Sequence, residues 1–363
     1  MTRSTPPLRT WQQDVLFNDF EQCLLPLNPD DEGAVSATLV RRKAKRELST
    51  AAREHYWPSW LAAVRQRREL RHDHEDHNVV LYLHGWADYF LQTELADYFE
   101  DHGASFYALD LRKFGRSLHE YQTAGFTDDL DVYDEDIEAA LTVIREEAAS
   151  RGVPEDRLRV HLMGHSLGGL IAALWADRNP GRLASVILNS PWLELQGSSL
   201  VRSIAAQLVE PFARADPKHA FPLPEMPAYW KSVSDKAYGE WHIVSAWRPR
   251  ESFPIRAGWI RAVMNGHSRV QHGLHIDAPV LIMLSERSKI QTGYTDELQT
   301  LDAVIDVQET AKRALGISRR VAVFRYQGAI HDIFMSSRQV REQAYKESMD
   351  WLVQTAAEST AAP

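Results

Sequence analysis

The chain has 363 residues, with 41 Lys plus Arg against 50 Asp plus Glu and a formal net charge of −9. Hydrophobic residues make up 44% and charged residues 25%, a globular composition that excludes a disordered tail protein. The single Cys23 excludes a disulfide scaffold and fits a reducing compartment, and the net acidity argues against a dedicated nucleic-acid binder.

The length accommodates two domains, or one large α/β domain with an insertion. The first residues carry no apolar stretch of the secretory kind, so a cytoplasmic protein without stable membrane insertion is expected. Residues 1–78 read as an N-terminal extension. Apolar runs at Leu8–Leu27 and Ala34–Arg41 flank the turn-rich Asn28-Pro29-Asp30-Asp31-Glu32-Gly33, which predicts a strand, a turn and a strand. The basic run from Arg41 to Arg46 reads as a solvated face rather than an anion site. Trp57, Trp60, Leu61 and Val64 have helical spacing. His72, His74 and His77 lie in a charged run that reads as a linker; without a His-Glu-x-x-His pattern or a Cys pair, no metal is expected.

From Val79 to Pro191 short apolar runs alternate with helical patterns. Strands are predicted at Val79–Leu83, Phe106–Leu109, Arg159–Met163 and Ser185–Leu188. Helices are predicted at Thr93–His102, over the face marked by Leu130, Tyr133, Ile137, Leu141 and Ile144, and at Gly168–Asp177. This alternation predicts βαβ units, hence an α/β fold with a mostly parallel central sheet flanked by helices. Over residues 192–277 the alternation stops and Trp and Pro accumulate, which predicts a mainly helical insertion. Residues 278–363 resume the core, with strands at Pro279–Leu284 and Arg320–Arg325 and a terminal helix at Arg338–Val353.

Gly164-His165-Ser166-Leu167-Gly168 follows a predicted strand and opens a predicted helix, the setting a nucleophile elbow requires. A hydroxyl there needs a base to be a useful nucleophile. His331, between the last strand and the last helix, is the candidate base. The acid partner is less plain, because Ser285-Glu286-Arg287-Ser288 after the late strand holds no Asp. Asp302 is the first choice, then Asp306, which also suits a helix N-cap, then Glu286. Backbone N–H groups of Trp86 and Leu167 are the candidate oxyanion hole. Trp86 and Tyr89 are candidate walls of the acyl site, and Trp192 is a candidate substrate contact. His84 is a further candidate contact, with a structural role as its plainer reading. No nucleotide loop is present, and no cofactor is expected.

Leu83-His84-Gly85-Trp86, then Asp110-Leu111-Arg112-Lys113-Phe114-Gly115-Arg116-Ser117, then Gly164–Gly169 and His331-Asp332 together resemble the α/β-hydrolase superfamily. Within it they resemble the monoacylglycerol lipase / lysophospholipase-like branch, also called serine aminopeptidase-like. The resemblance runs from about Asn78 to Thr355. It implies a Ser–Asp–His triad, a cap after the sixth strand, and cofactor-free hydrolysis of lipid-like esters such as a monoacylglycerol, a lysophospholipid or a medium-chain acyl ester. Three departures stand out, one of them an N-terminal zone longer than a bare hydrolase core needs. Asp302-Ala303-Val304-Ile305-Asp306 resembles the branch's acid motif displaced by an insertion from about Ser285 to Thr300, and Lys113 occupies a usual Gly position. The expected partner is a small ester substrate. The alternatives are an aminopeptidase or amidase, with an acid such as Glu194, Glu225, Asp235, Glu240 or Glu251 holding the substrate amine, and a non-catalytic ligand-binding protein of this fold.

Overall fold

The computed structural model describes residues 10–43, 77–195, 199–222, 227–291 and 293–361. The helical spacing at Trp57–Val64, the basic run beyond Lys43, and His72 and His74 lie outside the described residues. The N-terminal extension contributes β1 (Gln12–Gln13), β2 (Phe20–Asp30) and β3 (Gly33–Arg42). The expected turn is there, but it is tighter than the sequence suggested. β2 runs on through a register irregularity between Leu27 and Asp30, and Asp30 pairs with Gly33.

The core follows the predicted alternation: β4 (His77–Leu83), α1 (Thr93–Asp101), β5 (Ser105–Asp110), α2 (Tyr133–Ser150), β6 (Leu158–His165), α3 (Leu167–Arg178) and β7 (Ser185–Asn189). Next come α4 (Ser199–Ala215), α5 (Ala228–Val233) and α6 (Ala257–His272), all within the segment between β7 and β8. The chain closes with β8 (Val280–Ser285), α7 (Val307–Ala314), β9 (Val321–Tyr326) and α8 (Arg338–Ala361).

Among the described residues, nine strands form one sheet in the order β1-β2-β3-β5-β4-β6-β7-β8-β9. From β5 to β9 all neighbours are parallel, and β1, β2 and β3 add an antiparallel edge. Strand alternation sends Val79, Leu81 and Leu83 to one face and Val80 and Tyr82 to the other. The first face packs under α2, α3 and α6 through Ile137, Leu141, Leu170 and Val263. The second packs under α1 and α8 through Leu95, Phe99, Met349 and Leu352. With both faces covered, the central strands are apolar along their whole length, which is why they read as short unbroken runs. The fold is that of an α/β-hydrolase. Among the described residues, no helix is long and apolar enough to cross a membrane.

Candidate active site

The chain turns from β6 into α3 at Ser166, whose φ of 51° lies in the left-handed region and costs energy for a residue with a side chain. The glycines around it are needed for closeness. A Cβ on Gly168 would stand 2.3 Å from the His84 carbonyl oxygen, and one on Gly164 would stand 2.4 Å from the Gly168 carbonyl oxygen. The turn is clamped from outside as well: Ser166 N–H donates to Asn189 O at 3.1 Å, and Trp192 N–H donates to Ser166 O at 3.0 Å.

His331 lies in the loop between β9 and α8. Ser166 Oγ–H donates to His331 Nε2 at 3.0 Å, and His331 Nδ1–H donates to Asp302 Oδ2 at 2.8 Å. Asp302 is fully buried, and its other oxygen accepts the N–H groups of Val304 and Ile305 at 2.7 and 2.9 Å. The rival acids are elsewhere. Asp306 is exposed and caps α7 by accepting from Gln308 and Glu309, while Glu286 is exposed. The displaced position of Asp302 has a simple cause. The chain leaves β8, makes an excursion, and returns to pair Asp302 with Ser288 in parallel, so Asp302 stands just beyond the end of β8 despite the insertion.

Around this line, the three expected substrate contacts also have partners within the protein. His84 is fully buried; its Nδ1–H donates to Gly85 O at 2.8 Å and its Nε2 accepts Leu111 N–H at 3.1 Å. That ring joins the end of β4 to the loop after β5, the structural role. Tyr89 is also fully buried, and its hydroxyl accepts Val244 N–H at 2.9 Å, so it props the segment between β7 and β8. Trp192 packs its ring 5.9 Å from Trp259 and receives a hydrogen bond from His267 on its carbonyl. The candidate oxyanion loop does lie alongside Ser166: a Cβ on Gly85 would be 3.2 Å from the Ser166 Cβ, and Trp86 follows directly.

Several neighbours were not singled out from the sequence. His165 is buried with its ring 4.9 Å from that of His331; it donates to Asn189 O, and burial pushes its pKa down. Asp332, fully buried, accepts from Asn189 Nδ2 at 2.7 Å, Gln92 Nε2 at 2.8 Å and Phe334 N at 3.0 Å, which anchors the His331 loop to the sheet. Tyr229 meets the His331 ring edge-on at 5.3 Å. Only the His331-Asp332 dipeptide hinted at any of this. Among the described residues, no group of three or more His, Cys, Asp or Glu could hold a metal ion.

A nine-stranded sheet with a strained Ser at the β6–α3 turn, aligned with a His and a buried Asp, defines the chain as an α/β-hydrolase. The sequence profile of the serine aminopeptidase, S33 family matches residues 74–338, and the chain belongs to that family. No curated protein matches the sequence. Among solved structures, a soluble variant of monoglyceride lipase from Saccharomyces cerevisiae in complex with a substrate analogue is 16% identical. That alignment covers 91% of this chain and 94% of that one, with a TM-score of 0.58. A monoacylglycerol lipase from Paleococcus ferrophilus is 19% identical over 77% of this chain and 97% of its own, with a TM-score of 0.52. A thermostable carboxyl esterase from Bacillus coagulans is 12% identical over 92% and 99%, with a TM-score of 0.57. At these identities the likeness is one of fold.

Proposed function

We propose that the chain is a serine hydrolase of carboxylic esters, and that its substrates carry an acyl chain. The observation that carries the proposal is the unbroken hydrogen-bonded line from Ser166 Oγ through both nitrogens of His331 to Asp302. In this reading Ser166 Oγ attacks the ester carbonyl while His331 Nε2 takes its proton. The Trp86 and Leu167 N–H groups receive the oxyanion. His331 returns the proton to the departing alcohol, leaving the acyl group on Ser166. Water, deprotonated by His331, then releases the carboxylic acid and restores Ser166. Asp302 holds the ring with its proton on Nδ1 and stabilises the imidazolium as it forms. The segment at 192–277 acts as a cap over the site, residues 1–78 as an extension of the 79–191 and 278–363 core, and the cytoplasm as its setting.

An aminopeptidase reading calls for an acid free to hold the substrate amine. Of the acids considered for that role, Glu194 pairs with Arg313, Asp235 with His242 and Glu240 with Arg341, while Glu251 is exposed. Glu225 lies outside the described residues. Three of these candidates are thus already paired, which favours ester over aminopeptidase chemistry.

The test is a chain-length series of p-nitrophenyl esters, beside a monoacylglycerol, a lysophospholipid and an aminoacyl amide, with fluorophosphonate labelling. Wild type is expected to label at Ser166 and hydrolyse esters, and Ser166→Ala to lose roughly 10⁴-fold or more in kcat. Equal esterase activity in that variant, or preference for the amide, would overturn the proposal.

A further inference from the structure

Asp88 and Arg248 form an ion pair that the reaction above leaves unused. Arg248 Nη1–H donates to Asp88 Oδ1 at 2.8 Å, and the two residues are only 6% and 2% exposed. Burying two charges costs several kcal/mol per ion before their attraction offsets it, so such a pair is a poor device for stability alone. Its connections are more informative.

Asp88 lies two residues beyond Trp86, in a loop turned by Ala87 at a φ of 47°. Arg248 comes from the segment between β7 and β8. Its guanidinium carbon is 5.4 Å from the centre of the Tyr229 ring, and Nη1 is 3.7 Å from Met335 Sδ. Tyr229 in turn meets the His331 ring edge-on, and its hydroxyl accepts Asp332 N–H at 3.2 Å. One side chain of the inserted segment thus engages the Trp86 loop directly. It also engages the His331 loop, through Tyr229 and Met335.

We propose that Arg248 is a positioning residue: through Asp88 it fixes the 84–88 loop so that the Trp86 N–H points at the developing oxyanion, and this makes seating of the inserted segment a condition of efficient acylation. The proposal rests on the serine-hydrolase reading. An N–H aimed at the oxyanion acts in the transition state more than in the ground state, so its misplacement lowers kcat with little change in KM.

The experiment compares Arg248→Met, Asp88→Asn and the double variant. It measures kcat and KM on a p-nitrophenyl ester, the affinity for a trifluoromethyl ketone that forms a tetrahedral adduct on Ser166, and Tm. Each variant, the double one included, is expected to lose at least about tenfold in kcat, with KM within about threefold. Ketone affinity should fall by the same factor as kcat/KM. Arg248→Met strands a buried carboxylate and loses Tm. The double variant removes both charges and regains it, without regaining kcat. Recovery of wild-type kcat in the double variant would reduce the pair to a structural role and overturn the proposal. So would single variants within about twofold of wild type, or ketone affinity that does not follow kcat/KM. The wild type is assayed first. If it neither turns over esters nor labels at Ser166, the serine-hydrolase reading itself fails and takes this inference with it. If it does both, the variants test the positioning role alone.

Discussion

Asp302 uses one carboxylate oxygen to orient His331 and the other to accept two backbone N–H groups, so the loop that holds it is itself organised by the acid. Replacing it by Asn leaves the shape but not the charge, and an amide can present its NH₂ to the ring and favour the wrong tautomer. Asp302→Asn is therefore expected to lower kcat by about 10⁴-fold. Asp306→Asn keeps a capping side chain and should leave kcat unchanged; Asp306→Ala should cost about 1 kcal/mol of stability through the lost N-cap of α7. Steady-state kinetics and thermal melts on the three variants check this, and inactivity of Asp306→Asn with an active Asp302→Asn would reverse the assignment. Gly168 makes a second residue-scale case. Its missing Cβ would stand 2.3 Å from a backbone oxygen of the neighbouring strand end, which no rotamer change can relieve. Gly168→Ala should lose ester turnover and soluble yield together, and a fully active Gly168→Ala protein would contradict the packing described.

At the scale of elements, the tip of the β2–β3 hairpin is tied to parts of the chain far from it. Glu32 accepts Lys113 Nζ at 2.7 Å, Thr123 N at 3.0 Å and Lys218 Nζ at 2.9 Å. Lys113 also reaches Asp30 at 2.5 Å. This accounts for a lysine at a position where the resemblance leads one to expect glycine. Lys113 has a φ of 63°, and its ion pairs compensate for the strain that a glycine there would avoid. Burial alone raises the pKa of Glu32, but the bonds to Lys113, Thr123 and Lys218 outweigh it and bring the carboxyl from 4.5 to about 2. The unfolded chain therefore takes up this proton first. The contribution is complete above pH 4.5 and fades as pH falls towards 2. Glu32→Gln should melt below wild type at neutral pH, and the gap should narrow across that acid window. Calorimetric Tm against pH would show it, and a gap independent of pH would refute it.

Element existence was readable because the parallel strands are apolar throughout and the helices keep a 3.6-residue period, as at Ile137, Leu141 and Ile144. The elbow was readable because its glycines are demanded by local backbone contact. The acid could be named only through pattern likeness, since its place depends on the excursion after Ser285 folding back. Within that excursion Leu298 and Leu301 pack on Ala228, and Tyr294 stacks on Tyr238 at 4.0 Å. Partners such as Asp88 with Arg248, or Asn189 with Asp332, lie 160 and 143 residues apart. No periodicity encodes such pairings, because only the tertiary fold brings them together. Tyr89 is a similar case: the sequence offers an aromatic next to the Trp86 loop, and only the fold shows that its hydroxyl accepts Val244 N–H.

On the scale of the whole molecule, the middle of the sheet carries a titratable group that ordinary local motion cannot expose. His161 on β6 receives a hydrogen bond from Ser185 on β7 at 2.7 Å and donates to Asn78 on β4 at 3.1 Å, so it spans three adjacent strands. Burial first, and the charge of Arg159 second, lower its pKa from 6.5 to about 3. The folded protein therefore keeps the ring neutral over a range in which the unfolded chain is protonated. The contribution of His161 is complete above pH 6.5 and declines as pH drops from there towards 3. Between pH 6.5 and 4.5 Glu32 contributes no slope, His165, also lowered by burial, acts in the same sense, and Asp136 and Glu100, both raised by burial, act in the opposite sense, so the comparison with the variant isolates the share of His161. Because His161 is fully buried across β4, β6 and β7, the unfolded chain takes up this proton well before the folded one, and the loss is read in global unfolding rather than in a loop. Urea denaturation of wild type and His161→Gln at several pH values in this interval should give a shallower fall of ΔG for the variant, with the same m-value for both. Parallel slopes would mean that some other group governs acid unfolding. A changed m-value would mean that the sheet no longer unfolds as one unit.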